Sequence, residues 1–345
     1  MDLQITAVDA TFYDQHLADF LPPKIIDVHT HVWLKAFHNR PDVAPRGPTW
    51  PKRVADECPV EDLLQTYQLM FPRQSVTPVI FGAATRDYHL EQNNHYVSQV
   101  AGQYGLPSLL VSTPEWSAQE LERQAVESGC LGLKPYLEFA PAHIPSDEIA
   151  IFDFLPHHHL EVADARAWII MLHIPRPARL RDALNLQHLL EIEQRYPDVR
   201  LVIAHIGRAY CPEDVGNALD VLRHSQRMMF DFSANTSAWV MEQLLRAVGP
   251  RRVLFGSDLP ITRMRMRRMC EGGFYVNLVP PGLYGDVSYD PHMRQVSGQE
   301  GQRLSFFLYE ELLAFRQAAH ALGLSAGDVV DVFYNNAARL IAGAE

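Results

Sequence analysis

The chain has 345 residues, a formal net charge of −11, 47% hydrophobic residues and 21% charged residues. That acidity excludes a nucleic-acid backbone as the main partner, because such binding rests on clustered Lys and Arg; a small-molecule substrate is expected instead. No apolar tract approaches the ~18 residues of a membrane span, and Met1 to Ala10, with Asp2 and Asp9, does not read as a signal peptide, so the expectation is a cytoplasmic protein with no membrane partner.

Eight short β-rich runs follow, each trailed by a segment with helical spacing of apolar residues, as parallel strands joined by helical crossovers require. The expected strands are Lys24 to His29, Thr77 to Gly82, Pro107 to Ser112, Cys130 to Lys134, Ala167 to His173, Val199 to His205, Arg227 to Phe232 and Arg252 to Ser257. Most are apolar along their length, which fits burial on both faces. Helical stripes appear at Leu180, Leu184, Leu189 and Ile192, and at Phe306, Leu308, Leu312 and Phe315. After the seventh strand, Thr236 or Ser237 can cap a helix carrying Val240, Leu244, Leu245 and Val248, with Gly249 and Pro250 to stop it. Eight tandem units predict a (β/α)8 barrel with additional C-terminal helices, as one domain over residues 1–345. The lack of a Gly-rich phosphate loop after strand one counts against a dinucleotide-binding open sheet.

Two connections are long: the Pro-rich stretch Phe37 to Pro59 after strand one, and Gly272 to Gly301 after strand eight. Both are expected to form a lid over the barrel mouth, with Trp33, His38, Arg40 and Tyr275 facing the site. The cysteines Cys58, Cys130, Cys211 and Cys270 are far apart and lack a C-x-x-C pair, so four reduced thiols are expected.

What terminates the strands is more informative. Strand one ends Asp27-Val28-His29-Thr30-His31, strand five ends at His173, strand six at His205 and strand eight at Gly256-Ser257-Asp258. C-terminal strand ends converge on the mouth of a barrel. His29 and His31 are two apart and share one side of their strand. Imidazole nitrogen and carboxylate oxygen are typical ligands of divalent ions, and a buried carboxylate after Val253-Leu254-Phe255 needs a cation nearby. The set His29, His31, His173 and Asp258 therefore reads as a metal site, expected to hold one divalent ion, zinc or manganese. Taken singly, each histidine has the plainer reading of a hydrogen-bonded structural residue.

With those strand ends, Gly132-Leu133-Lys134, His205-Ile206-Gly207 and the terminal Asn335-Asn336-Ala337-Ala338-Arg339-Leu340, the chain resembles the amidohydrolase superfamily. Within it the match is to the amidohydrolase-related branch of aminocarboxymuconate-semialdehyde decarboxylase-like hydrolases, lactonases and decarboxylases, some lactonases of which are thought to work without metal. The resemblance implies His29, His31, His173 and Asp258 as metal ligands, His205 as catalytic acid or base, and Asp258 as a second catalytic group taking a proton from water. It also raises two roles for Lys134: a carboxylated bridge to a second metal, or an ammonium that binds a substrate oxygen.

Around this set, Arg176 and Arg208, with Arg86 after strand two, are placed to grip a substrate carboxylate, although each alone reads equally as a loop salt bridge. The run Arg263, Arg265, Arg267, Arg268 is expected to be a solvated turn or helix face, and His157-His158-His159 to be surface. The leading expectation is a metal-dependent hydrolase that cleaves an amide, lactone or related bond of a carboxylate-bearing substrate through a metal-activated water. A non-oxidative decarboxylase on the same metal site is the alternative, and a barrel that has lost its chemistry is disfavoured by the intact ligand set. Composition leaves homo-oligomerisation open.

Overall fold

The computed structural model describes residues 3–39 and 49–343; Arg40 lies outside them. All eight expected strands are present: β1 Lys24–His31, β2 Ser75–Phe81, β3 Leu110–Ser112, β4 Gly132–Pro135, β5 Ile169–Leu172, β6 Arg200–Ile203, β7 Met229–Asp231 and β8 Val253–Leu254. β1 pairs with β2, and β3 through β8 pair in chain order, every pair parallel. The two remaining seams are closed by backbone hydrogen bonds. Leu109 N donates to Ile80 O across β2 and β3 (3.0 Å), while Val28 N to Phe255 O (3.1 Å) and Asp258 N to His29 O (2.8 Å) join β1 to the chain leaving β8. The result is a closed (β/α)8 barrel.

The strands are apolar because both of their faces are covered. Ile26, Val28, Val79, Phe81, Leu109, Ile169, Met171, Val202 and Leu254 pack together in one cluster, and the alternate residues pack outward against the helices. Those helices are α1 Ala7–His16, α2 Val60–Met70, α3 Leu90–Tyr104, α4 Ala118–Ser128, α5 His157–Ala165, α6 Ala183–Arg195, α7 Ala218–Leu222, α8 Ala238–Val248, α9 Phe307–Leu322 and α10 Asn336–Ala342. In α8 the expected cap is Ser237, whose Oγ accepts from Val240 N at 3.3 Å, and Gly249 ends the helix at φ +74°. α9 buries Leu308, Leu312 and Phe315, and Phe315 stacks on Phe232 with ring centroids 4.6 Å apart. Asn336 of the terminal motif ties α10 to the barrel floor, donating through Nδ2 to Pro250 O (2.9 Å) and Val253 O (2.8 Å).

Four expectations need correction here. The segment after β8 is not merely a long loop: it folds into a small sheet of β9 Arg267–Glu271, β10 Phe274–Val279 and β11 Met293–Gln295, with β10 central, antiparallel to β9 and parallel to β11. The arginine run is not a solvated face. Arg265 pairs with the fully buried Asp9 (Nη2 to Oδ2, 2.6 Å), and Arg268 is itself buried, because β9 turns this side chain toward the barrel. The cysteines are not all free thiols, since Cys211 and Cys270 form a disulfide bridging the chain after β6 to β9. Their 59-residue separation carries no motif; the fold alone brings them together. His159 is buried rather than on the surface, with Nε2 at 2.8 Å from Trp116 O, because α5 lays this side against the loop after β3.

Candidate metal centre and its cavity

The barrel mouth opens into a cavity of about 940 Å³ lined by His29, His31, Lys134, His173, His205 and Asp258, so the strand ends singled out in the sequence do converge. Trp33, His38 and Tyr275 line it too, as expected of a lid built from the segments after β1 and β8.

His29 and His31 are held in one tautomer by what lies behind them. His29 Nδ1 is 2.9 Å from Asp231 Oδ2, and His31 Nδ1 is 3.1 Å from Gly82 O. A carbonyl or an ionised carboxylate only accepts, so each Nδ1 carries the proton and each Nε2 faces the cavity with a bare lone pair. Burial lowers His29 to about 3, with the Lys134 charge adding to it, so its ring stays neutral. Asp258 Oδ1 stands 3.3 Å from His31 Nε2 and 3.7 Å from His29 Nε2. Burial would raise the Asp258 carboxyl, but the polar imidazoles around it, His31 first, hold it at about 2. Two lone pairs and an anionic oxygen thus lie within 4.8 Å of one another with no hydrogen to place between them. Such a group repels itself unless a cation sits at its centre, and neutral imidazoles with a carboxylate suit a divalent ion. The residues fit a metal.

His173 lines the same cavity outside this 4.8 Å group. Its ring lies 4.8 Å from Tyr136 and 5.2 Å from His205, and its buried Nδ1 has no hydrogen-bond partner among the described residues. Burial drives it well below the ordinary imidazole value, which leaves both a lone pair and an unused ring nitrogen for a ligand. His205 is anchored differently: its Nδ1 lies 3.0 Å from Ser233 O and 2.9 Å from Ser233 Oγ, so the proton is on Nδ1 and Nε2 is free to act as a base. Lys134 is buried with Nζ 3.4 Å from His29 Nε2 and 5.1 Å from the Phe81 ring centroid; burial lowers it to about 8.

Two carboxylates that sequence reading gave no role organise this centre. Asp231 ends β7, accepts from His29 through Oδ2, and through Oδ1 accepts from His205 N (2.9 Å), Ser233 N (3.0 Å) and Ser233 Oγ (2.5 Å). Those bonds account for the second close group of His29, His205 and Asp231: it is a saturated hydrogen-bond network, not a second ion site. Asp27 accepts from His29 N (3.1 Å), Ser257 N (2.9 Å) and Tyr67 OH (2.7 Å), stitching the ligand-bearing ends of β1 and β8 together; its burial pushes it up to about 7. Asp231 was detectable as a lone carboxylate in Met228-Met229-Phe230-Asp231-Phe232, where an acid must find partners.

Backbone strain gathers at the same rim. His205, Ile206, Gly207 and Arg208 are consecutive left-handed residues at φ +56°, +51°, +58° and +61°, and Ala234 (+51°) and Asp258 (+59°) share that region. For non-glycine residues this conformation costs about 1–2 kcal/mol each, and it persists where surrounding contacts dictate side-chain direction. Gly256 is required sterically: a Cβ there would stand 2.8 Å from His29 Cβ.

Of the expected anion-binding arginines, Arg208 lines the cavity and is held by carbonyls, Nη1 reaching Pro175 O at 2.5 Å, with no carboxylate paired to it among the described residues. Arg176 also lines the cavity but is tied to Asp182 (3.1 Å). Arg86 is turned away, onto Glu138 O and Phe139 O.

The amidohydrolase family model matches residues 26–342. Among curated proteins none matches. Solved structures similar to the chain include a probable 2-pyrone-4,6-dicarboxylic acid hydrolase from Acinetobacter baumannii with citric acid bound (TM-score 0.54, 16% identity, 92% of this chain and 99% of that one). A dihydroxybenzoic acid decarboxylase from Polaromonas with bound manganese has TM-score 0.55 at 14% identity, covering 93% and 97%. An amidohydrolase from Burkholderia multivorans with bound zinc has TM-score 0.55 at 16% identity, covering 92% and 99%. With the family match running from β1 into the last helix and the strand-end histidines and aspartate converging on one mouth, the chain belongs to the amidohydrolase family of enzymes.

Proposed function

We propose that this enzyme is a metal-dependent hydrolase of a small carboxylate-bearing substrate, opening an amide, lactone or related bond, with one zinc or manganese ion at His29, His31, Asp258 and His173. The observation that carries it is the convergence of two Nε2 lone pairs on the Asp258 carboxylate, each imidazole locked from behind. A divalent ion held by those residues would supply acidification of a water and polarisation of a carbonyl. Asp258 supplies the carboxylate that takes a proton from water, and its low pKa keeps it ionised for that work at neutral pH. His205 Nε2, its lone pair aimed by Ser233, would take up the proton that Asp258 has received from water and pass it to the leaving group, and the Lys134 ammonium donates to a substrate oxygen. Arg208 grips the substrate carboxylate, with Arg176 at the rim.

No helix among the described residues is long and apolar enough to cross a membrane. A cytoplasmic location is part of the proposal; in that compartment the Cys211–Cys270 pair would be met reduced, and thiol titration of freshly lysed protein checks this.

The function is tested by chelating the protein, restoring zinc or manganese, and assaying a panel of lactones, amides and aromatic acids, with ring opening or amine release read beside carbon dioxide. Metal-dependent hydrolysis that falls about 10²- to 10⁴-fold in His205→Ala, with metal content kept, supports the reading. Carbon dioxide as the product, with no hydrolysis, overturns it.

A further inference from the structure

Arg268 sits in the wall of the cavity on β9, the inner edge strand of the lid sheet, and is the buried residue of that strand. The residue is more than nine-tenths buried, its guanidinium reaching the cavity, and no described carboxylate pairs with it. Nε donates to Asn277 Oδ1 (2.9 Å), its cross-strand partner on β10, and Nη1 donates to Ala234 O (2.7 Å). Nη2 has no partner among the described residues. Four rings surround the group, with centroids at 4.4 Å (Tyr275), 4.6 Å (Phe307), 4.7 Å (Tyr210) and 5.8 Å (Trp50) from Cζ.

The neighbouring acids are committed elsewhere. Asp258 faces the His29 and His31 imidazoles, Asp214 pairs with Arg179 at 2.7 Å, and Glu311 accepts from the N–H of the left-handed Ala234 at 2.6 Å, full burial raising its carboxyl well above the ordinary value. A buried guanidinium without a counter-ion is costly; the rings recover part of that cost but offer no acceptor to Nη2. Such an arrangement persists where an anion completes it. With Arg208 also lacking a carboxylate, this mouth presents unpaired cations in a chain whose net charge is −11, the contrast that draws small anions into a cleft.

We infer that Arg268 is a specificity-determining anchor in the lid, taking the carboxylate of an organic acid whose planar body rests against the Tyr210 and Tyr275 rings. The inference rests on the reading of this mouth as a substrate site. Cross-strand pairing to Asn277 and the bond to Ala234 aim the fork, so the lid sheet itself becomes part of the recognition surface.

The test measures binding of benzoate and its neutral isostere benzamide by calorimetry to wild type, Arg268→Met and Arg268→Lys, each before and after chelation. Wild type is expected to prefer benzoate. Arg268→Met should lose about 10- to 150-fold in benzoate affinity, the range for a charge-assisted hydrogen bond, while benzamide changes by less than about 2-fold. Arg268→Lys should retain part of the preference, since a point charge lacks the fork. Equal affinity of wild type for the two compounds, unchanged benzoate binding in Arg268→Met, or an Arg268 effect that vanishes on chelation each overturns the inference. Should both variants fail to fold, a crystal structure of wild type with 4-bromobenzoate decides: the carboxylate on Arg268 supports the anchor, and its placement elsewhere refutes it. Because binding is read in metal-free protein, absence of hydrolysis on every acid would sink the proposed function and leave this result standing.

Discussion

Replacing Asp231 with Asn removes the acceptor behind His29, the first of the proposed metal ligands, while changing almost nothing in size. The carboxylate takes four hydrogen bonds, three on Oδ1 from the backbone N of His205 and from Ser233, and one on Oδ2 from His29 Nδ1 at 2.9 Å. An amide keeps one oxygen for the three Oδ1 bonds and turns its NH2 toward His29, where it meets the N–H and forces the ring to the other tautomer. His29 Nε2 then carries the proton and can no longer bind an ion. Loss of one charge-assisted bond is worth about 1.5–3 kcal/mol, which is roughly 10- to 150-fold in metal affinity and agrees with the 10- to 100-fold typical of groups behind a ligand. Competition with a chromophoric chelator reads that affinity directly, and a urea titration of the metal-free protein separates it from lost stability. Asp231→Asn protein that binds metal as tightly as wild type would refute the tautomer argument.

Three further outcomes follow from other contacts. Gly256→Ala places a Cβ 2.8 Å from His29 Cβ and 3.3 Å from Ser233 Cβ, so it should cost about 1–3 kcal/mol as overpacking and lower metal affinity as well; an unaltered melting curve and metal affinity would show that the strands give way freely. Asp9 is buried, which raises its carboxyl, yet hydrogen bonds from Arg265, Thr6 and Ser305 bring it below the ordinary value. Its stabilising contribution is therefore present above the unfolded carboxylate range near pH 4 and lost as pH falls through the lower folded value. Arg265→Met leaves the acid buried and unpaired, costing about 3–5 kcal/mol near pH 7 and less as the solution is acidified toward pH 4; urea denaturation at both values checks the sign. Cys211→Ser with Cys270→Ser opens a 59-residue loop, for which chain entropy gives a loss of up to about 4 kcal/mol, matched in wild type by adding a reductant; equal stability of the oxidised and reduced proteins would show the bond adds nothing.

The barrel was legible because strands buried on both faces must be apolar throughout: β3 and β5 to β8 lie inside the runs that announced them, while β1, β2 and β4 overlap theirs and run one or two residues past one end. The candidate metal group was legible for the converse reason: His29, His31 and Asp258 are polar groups where burial forbids unpartnered ones. Asp231 obeys the same rule but sits one residue before the end of its apolar run, so it reads as part of the strand. The lid sheet escaped because β9 opens on two arginines and ends on a glutamate, with Arg268 its one buried member. Its only signal was Gly272-Gly273 between Glu271 and Phe274, a hairpin turn that takes φ +59° and +80°. Arg268 and Arg265 look like solvated charge until the partners, Asn277 and Asp9, are brought to them from 9 and 256 residues away. The Cys211–Cys270 bond is hidden in the same way, by distance along the chain.

The most direct test of the central claim is elemental analysis of protein purified without chelator, for wild type, His31→Ala and Asp258→Asn. Wild type should carry about one divalent ion per chain, and both variants should lose most of it, because each removes one donor from a small ligand set. Wild-type protein that holds no divalent ion and turns over its substrate undiminished in the presence of a strong chelator would contradict the claim, and would leave the Lys134 ammonium, 3.4 Å from His29 Nε2, as the cation at the centre.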